Sequence, residues 1–75
     1  MELEELKEIV IDKLGVDADM ISESTRFTED LGADSLDLYE IVIEVEDKLQ
    51  IKLPDDVLKE IKTVEDALEA INDAV

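Results

Sequence analysis

Apolar side chains recur every three or four residues over long parts of this chain, and this spacing restricts it to a helical fold. Between Glu2 and Leu14 the apolar positions of the stripe are Leu3, Leu6, Ile9, Val10 and Leu14. Residues three and four apart share one face of an α-helix, so the stretch predicts an amphipathic helix. Gly15 follows the last apolar position and suits a left-handed C-terminal cap.

The segment from Gly15 to Asp34 has no sustained period and is predicted to be a long first loop. Loops of this length are uncommon in compact domains and usually carry function when they are ordered. Several apolar residues could fix this loop to a core: Val16, Met20, Ile21, Phe27 and Leu31. We therefore expect a packed connector that also contributes to a functional site.

A second helix is predicted from Asp34 to Gln50. Asp34 suits the N-cap position, and Asp37 three residues later makes an approximate capping box. The stripe that should face the core consists of Leu38, Ile41, Val42, Val45 and Leu49. At about 100° per residue, Leu36 and Ile43 fall on the opposite side of the helix.

The stripe opposite the core is unusual because Leu36 and Ile43 align there with Glu40 and Asp47. A simple amphipathic helix would be polar on that side. Isolated exposed apolar residues are ordinary on a protein surface. The same pattern also fits a contact surface with an apolar centre and an acidic rim.

The last third of the chain predicts two further helices. After an extended link over residues 50–53, Pro54 can open a short third helix that ends near residue 61 or 62. Thr63 suits the N-cap of a fourth helix, with Asp66 three residues on. The inward-facing residues are Val57, Leu58 and Ile61 in the third helix and Val64, Ala67, Leu68 and Ile71 in the fourth. The predicted fold is all-α: a four-helix bundle with three longer helices, one short third helix and a long first loop, in a single domain of residues 1–75.

Charge excludes several kinds of partner. The chain has 23 acidic and 7 basic residues and a formal net charge of -16. Such a surface repels phosphate backbones and anionic lipids, so we expect no nucleic acid and no membrane insertion, but basic protein surfaces as partners. No apolar run approaches the ~20 residues of a membrane span. The acidic N-terminus is unlike a signal or transit peptide, so a cytoplasmic location is expected, or an organelle if a transit peptide has been removed.

Two missing residue types limit the chemistry. Without cysteine the chain has no thiolate nucleophile, disulfide framework or zinc cluster, and without histidine it lacks the usual general base near neutral pH. Carboxylates are so frequent that none stands out as a general acid or base. An EF-hand starting at Asp17 fails, because Ser22 stands where that loop needs glycine. The sequence therefore predicts no catalytic residue, no metal site and no enzyme.

Residues 31–37 form the segment best suited to a functional group. Ser35 lies in the first turn of the second helix, where free N–H groups and the helix dipole favour a phosphate. Asp34 and Asp37 flank the hydroxyl and are candidates to hold Mg²⁺ during phosphoryl transfer. The alternative is that Ser35 only shares the capping role with Asp34, since serine and aspartate are common at helix starts.

The segment 27–37, with its Asp34-Ser35-Leu36 triplet, resembles the acyl carrier proteins. The resemblance extends over essentially the whole chain, including the helix order and the long first loop. It is also carried by Glu40, the acidic stretch 44–47, and the segments 51–56 and 61–64. The resemblance implies that a separate Mg²⁺-dependent transferase attaches 4′-phosphopantetheine from coenzyme A to Ser35. The thiol of that arm would carry acyl groups as thioesters, which is consistent with a chain that lacks cysteine.

The resemblance also implies roles for other residues. Those at the cofactor, besides Ser35, are Asp34, Leu36 and Asp37. The face offered to partner enzymes comprises Leu36, Asp37, Glu40, Ile43, Glu44 and Asp47. The acyl pocket comprises Phe27, Val45, Leu53, Leu58, Ile61 and Ala67. Tyr39 and Leu58 depart from the family's pattern, which commonly has a small aliphatic residue and alanine at these positions.

The function implied is that of a monomeric carrier in type II fatty acid synthesis. Its partners would be a phosphopantetheinyl transferase, the fatty acid synthesis enzymes, and acyltransferases with basic docking patches. The same fold could instead serve polyketide, lipid A, aminoacyl or D-alanyl transfer. An acidic interaction protein that mimics nucleic acid would explain the charge but would give Ser35 no role.

Overall fold

The computed structural model describes all 75 residues and contains four α-helices and no strand. The helices are α1 (Leu3–Leu14), α2 (Ser35–Leu49), α3 (Asp55–Glu60) and α4 (Val64–Ala74). The predicted all-α fold, with three longer helices and a short third one, is confirmed. The long first loop is also present, and it contains a short 3₁₀ turn (Ala18–Met20) that the sequence did not predict. No helix has the length and apolar character needed to cross a membrane.

The predicted helix caps are formed. Gly15 ends α1 in the left-handed region with φ of 66°, a conformation that glycine adopts without a steric penalty. Thr63 caps α4: its Oγ1 accepts a bond from the Asp66 N–H at 3.1 Å, and its own N–H donates to Asp66 Oδ2 at 3.1 Å. The left-handed residue that ends α2, Gln50 with φ of 56°, was not predicted.

Fourteen apolar residues form one buried core, and it follows the predicted stripes. They are Leu6, Ile9, Val10, Ile21, Phe27, Ala33, Ile41, Val42, Val45, Leu53, Ile61, Val64, Ala67 and Ile71. The expectation that Met20 helps to fix the first loop through its side chain was wrong, since Met20 is 50% exposed. Its backbone carbonyl is the group that holds the loop, because it accepts a bond from Thr25 Oγ1 at 3.0 Å.

The long first loop is tied to the start of α4 by backbone hydrogen bonds. Three bonds of 2.9 to 3.0 Å join residues 23–27 to residues 62–65, in an antiparallel arrangement. Thr25, the one buried polar residue, also accepts a bond from the Ser22 N–H at 2.8 Å. The loop is therefore a packed connector, as predicted, and it holds the chain that leads into α2 in a fixed place.

The link between α2 and α3 is held by a side chain of α2. The Glu46 carboxylate accepts a bond from the backbone N–H of Leu53 at 2.6 Å. Leu53 is buried in the core, whereas α3 itself contains no buried residue. The short third helix is thus attached to the bundle by the buried residues Leu53 before it and Ile61 after it, and by its own partly buried Val57 and Leu58, which pack against the core.

Candidate functional site

Ser35 is the first residue of α2, and two aspartates close the cap around it. The Asp37 N–H donates to Asp34 Oδ1 at 2.9 Å, and the Asp34 N–H donates to Asp37 Oδ2 at 3.2 Å. This is the reciprocal capping box that the sequence predicted, with aspartate in both positions. Since the two aspartates make the cap, the exposed Ser35 hydroxyl takes no part in it. The alternative role of Ser35 as a shared cap is not what the structure shows.

The turn before α2 fixes the position of Ser35. Gly32 has φ of 70°, and its N–H donates to the Thr28 carbonyl at 3.1 Å. Ala33 then donates to the Phe27 carbonyl at 2.9 Å, and both Ala33 and Phe27 are 1% exposed. The small Ala33 side chain therefore anchors the turn in the core. Ser35 follows two residues later on the surface, directly after this buried anchor.

The start of α2 is electrostatically suited to a phosphoester. The first bond within the helix is donated by Leu38 to the Asp34 carbonyl at 3.1 Å. The N–H groups of Ser35 and Leu36 precede it, so they remain available to an anion at the positive end of the helix dipole. The carboxylates of Asp34 and Asp37 oppose this field, but each is already engaged by a backbone N–H. An exposed hydroxyl beside free N–H groups fits a phosphate-linked arm.

The Mg²⁺ expected during phosphoryl transfer has no preformed cage in this chain. No group of three or more histidine, cysteine, aspartate or glutamate side chains is placed to hold a metal ion. Asp34 and Asp37 could therefore supply at most two ligands to Mg²⁺, and groups outside this chain would complete the coordination of the ion.

Ser35 opens onto a groove of about 340 Å³ between α2 and the end of α3, which we call the Ser35 groove. The α2 side contributes Asp34, Ser35, Leu38, Tyr39 and Val42, and the opposite side contributes Thr28, Leu58, Lys59 and Ile61. Leu38, Tyr39 and Val42 lie three, four and seven residues after Ser35, so helical spacing could have identified them. Thr28 and Lys59 carry no such signal, because the tertiary fold alone brings them to Ser35.

The predicted acyl-pocket residues fall into two sets. Leu58 and Ile61 line the Ser35 groove. The other four lie deeper in the packed core, each at most 3% exposed: Phe27, Val45, Leu53 and Ala67. The three cavities of the molecule are all open at its surface. The groove therefore leads toward the predicted pocket residues without a preformed internal cavity among them.

The predicted partner face lies on the exposed side of α2. Leu36 is 71% exposed and Ile43 is 46% exposed, and Glu40 and Asp47 are exposed alongside them. Asp37 is half-buried at the first turn. Glu44 lies at the side nearer α1, where its carboxylate is 3.6 Å from Lys13 Nζ. Tyr39 is 49% exposed and stands between this face and the Ser35 groove.

Comparison with known families accounts for this arrangement. The model of the phosphopantetheine attachment site family matches residues 4–71. The chain belongs to this family. Its members bear covalently attached 4′-phosphopantetheine, and this chain is a carrier of acyl groups on that cofactor, with no catalysis of its own. This separates it from the nucleic-acid mimic that its charge alone allowed. The family's general partners are phosphopantetheinyl transferases and synthase enzymes.

Solved structures of acyl carrier proteins resemble the chain over its length. A hexanoyl acyl carrier protein from the actinorhodin polyketide synthase of Streptomyces coelicolor is 29% identical, with a TM-score of 0.85, and the match covers 99% of this chain and 90% of that one. The acyl carrier protein of Thermotoga maritima is 28% identical, with a TM-score of 0.84 and coverage of 96% and 84%. That of Enterococcus faecalis is 27% identical, with a TM-score of 0.80 and coverage of 97% and 92%.

Proposed function

We propose that this chain is a single-domain carrier of type II fatty acid synthesis, acting in the cytoplasm, with its phosphopantetheine arm attached to Ser35. The observation that supports this most directly is the exposed Ser35 hydroxyl, left out of the α2 cap and open to a groove. When bound, the arm supplies a thiol that holds acyl groups as thioesters. The protein supplies the attachment oxygen, the surface that enzymes recognise, and apolar surface for the cargo.

Other hydroxyls of the chain are worse placed than Ser35. Ser22, Ser24 and Thr25 bond to one another in the first loop. Thr63 accepts the N–H of the α4 cap. Only the Ser35 hydroxyl lies in the first turn of a helix with free N–H groups beside it, which is the environment that favours a phosphoester.

The exposed side of α2 is the proposed surface for partner enzymes. Leu36 and Ile43 provide apolar anchors, while Glu40 and Asp47 beside them attract basic patches and raise the rate of encounter. Glu44 and Asp37 extend the acidic rim on the side toward α1. This surface starts at Ser35, so an enzyme docked on α2 has the arm at the edge of its contact.

The proposed site for the acyl chain begins at Leu58 and Ile61. Burial of a saturated chain is favourable by ~0.8 kcal/mol for each CH₂. The four deeper residues, Phe27, Val45, Leu53 and Ala67, become its walls when α3 moves outward. Because α3 has no fully buried residue and packs on the core only through the partly buried Val57 and Leu58, we expect this movement to break few contacts.

The attachment proposal is tested by mass. The purified protein is incubated with coenzyme A, Mg²⁺ and a broad phosphopantetheinyl transferase, and its intact mass is compared with that of Ser35→Ala and Ser24→Ala. We expect a gain of one phosphopantetheine group in the wild type and in Ser24→Ala, and none in Ser35→Ala. A gain in a folded Ser35→Ala variant would place the attachment elsewhere.

Polyketide synthesis is the second candidate pathway, because the actinorhodin carrier is among the similar structures. The carboxylate-rich partner face favours fatty acid synthesis modestly. The loaded protein is offered separately to the condensing enzyme of a type II fatty acid system and to that of a type II polyketide system. We expect the higher kcat/KM with the fatty acid enzyme, and the reverse order would assign the carrier to polyketide synthesis.

A further inference from the structure

One basic residue stands in the stretch that runs through the first loop and most of α2. Arg26 is the only arginine of the protein and the only basic residue between Lys13 and Lys48. Its guanidinium pairs with two carboxylates that follow it closely in the chain, those of Glu29 and Asp30. Neither the α2 cap nor the Ser35 groove includes this ion cluster. The single cation of this acidic stretch is therefore committed to the turn that precedes α2.

Arg26 and Asp30 are joined through side chain and backbone alike. Arg26 Nε and Nη2 donate to Asp30 Oδ2 and Oδ1 at 3.3 and 3.0 Å, which is the bidentate geometry of a specific pair. Arg26 Nη1 donates to Glu29 Oε2 at 2.6 Å. The Arg26 N–H donates to Asp30 Oδ2 at 2.8 Å, and the Arg26 carbonyl accepts the N–H groups of Asp30 and Leu31 at 3.0 and 3.3 Å. These bonds close residues 26–31 into one turn, which we call the Arg26 clamp.

The Arg26 clamp lies between the start of α4 and the attachment site. Its first residue pairs with Thr63, the residue that caps α4. The N–H groups of Gly32 and Ala33 donate to carbonyls of the clamp at 3.1 and 2.9 Å. Thr28, inside the clamp, lines the same groove as Ser35. The backbone that leads to Ser35 is therefore hydrogen-bonded back onto the clamp.

The ion pairs of the clamp are exposed, so we expect them to act on local geometry more than on global stability. Exposed pairs contribute little to the free energy of unfolding. The hydrogen bond from the Arg26 side chain holds the pKa of Asp30 below its ordinary 3.8, so both partners are charged at neutral pH. Without Arg26, the neighbouring carboxylates of Glu29 and Asp30 have no counter-charge, and their repulsion opposes the closed turn.

We infer that Arg26 is a positioning residue for attachment of the arm: by closing the turn of residues 26–31, it holds Ser35 in the orientation that the transferase requires. This inference rests on the proposed attachment at Ser35. In that reaction the Ser35 oxygen bonds to the phosphorus of the phosphopantetheine phosphate of coenzyme A. The bond from that phosphorus to adenosine 3′,5′-bisphosphate breaks, and a base of the transferase takes the hydroxyl proton. A misplaced oxygen reacts slowly even when the proteins bind, because the rate depends steeply on the alignment of the reacting atoms.

The test measures kcat and KM of loading by a phosphopantetheinyl transferase, with coenzyme A and Mg²⁺, for the wild type, Arg26→Gln, Arg26→Lys, Asp30→Asn and the double variant Arg26→Gln with Asp30→Asn. Lys52→Gln is the matched control, since Lys52 is exposed, lies outside the ion pairs and cavities, and its loss changes the net charge equally. Circular dichroism establishes that each variant is folded at the assay temperature. Amide hydrogen exchange of Gly32 and Ala33 reports on the turn independently of activity.

We expect Arg26→Gln and Asp30→Asn each to lower kcat several-fold with little change in KM, and to speed the exchange of the Gly32 and Ala33 amides. The double variant should be no slower than either single one, because both changes remove the same contact. Arg26→Lys keeps the charge without the bidentate fork and should recover part of the rate. Lys52→Gln should match the wild type in all of these measurements.

Three results would overturn this reasoning in different ways. A wild-type kcat in folded Arg26→Gln, or in Arg26→Lys and Asp30→Asn should Arg26→Gln not fold, refutes the positioning role and leaves the attachment at Ser35 standing. A loss in Arg26→Gln with none in Asp30→Asn means that Arg26 contacts the transferase directly, which refutes the clamp. If the intact mass shows that the wild type is not loaded at Ser35, the proposed attachment fails and this inference fails with it.

Discussion

Replacement of Glu46 should test how the short third helix is held. Glu46 Oε2 accepts the Leu53 N–H at 2.6 Å, and Leu53 is 3% exposed. Hydrogen bonds to charged groups contribute about 1.5–3 kcal/mol, and a buried N–H left without a partner adds a desolvation cost. Glu46 is only half-buried, so we expect Glu46→Ala to lower the free energy of unfolding by about 1–2 kcal/mol, at or just below the lower end of that range. A domain of this length is stable by about 4–11 kcal/mol, so the change is a substantial fraction of the total.

The assay is thermal and urea unfolding of Glu46→Ala, Glu46→Gln, Glu40→Ala and Glu40→Gln. At about 4–8 °C for each kcal/mol in a domain of this size, Glu46→Ala should melt about 5–15 °C below the wild type. Glu46→Gln keeps an acceptor oxygen and should lose less. Glu40 is an exposed glutamate of the same helix without a hydrogen bond or ion pair, so its two variants should stay within about 0.5 kcal/mol of the wild type. Equal stability of Glu46→Ala and Glu40→Ala would refute the role assigned to the Glu46 bond.

Three further predictions address recognition, pH and cargo. Replacing Glu40 or Asp47 with lysine should slow the transferase and synthase reactions, most clearly at low salt. The control, Glu4→Lys on α1, should slow them less. Equal effects at the three positions would mean that the enzymes respond to net charge and not to the α2 face. Backbone bonds from Lys62 and Thr63 lower the pKa of Asp66 below its ordinary 3.8, so its charge contributes stability above that pH, and this contribution is lost as pH falls through the lower, folded-state pKa. Urea unfolding should show the difference between wild type and Asp66→Asn shrinking below pH 3.8, and a difference independent of pH would exclude this linkage. The melting temperature of the protein bearing saturated acyl groups should rise with chain length and then level off, because each buried CH₂ contributes ~0.8 kcal/mol until the site is full. In Leu58→Ala the levelling should occur at a longer chain. A melting temperature independent of chain length would mean that the chain stays in solvent.

Much of the fold could be predicted from local sequence, because helices depend on spacing and on cap residues that lie close together in the chain. The stripes of α1, α2 and α4, the cap pairs Asp34–Asp37 and Thr63–Asp66, and the left-handed Gly15 were all accessible in this way. The exposed stripe opposite the core of α2 was accessible for the same reason, since Leu36 and Ile43 are two turns apart.

The missed features depend on contacts between distant parts of the chain. The pairing of residues 23–27 with residues 62–65 follows no periodic signal, and it brings the end of α3 to the start of α2. Lys59 lines the Ser35 groove although no spacing in the sequence connects it with Ser35. The Glu46 bond to Leu53 was hidden as well, because glutamate is so frequent here that no single one was distinctive.

The distribution of buried residues separates the stability of the bundle from its capacity to take up cargo. The side chains at 0% exposure belong to α1, α2 and α4 (Leu6, Val10, Val45 and Val64), and α3 contributes none. An outward shift of α3 would therefore leave those contacts intact and loosen the packing of Val57 and Leu58 and the attachments at Leu53 and Ile61. If the acyl chain enters beneath α3, as proposed, few contacts are lost, so we expect a modest gain from burying an alkyl chain to open the site and the apolar tunnel of an enzyme to reverse it. A preformed cavity would destabilise the unloaded carrier, because the side chains lining an empty cavity lack packing partners. A core that is packed when empty and opens only for the acyl chain avoids this cost.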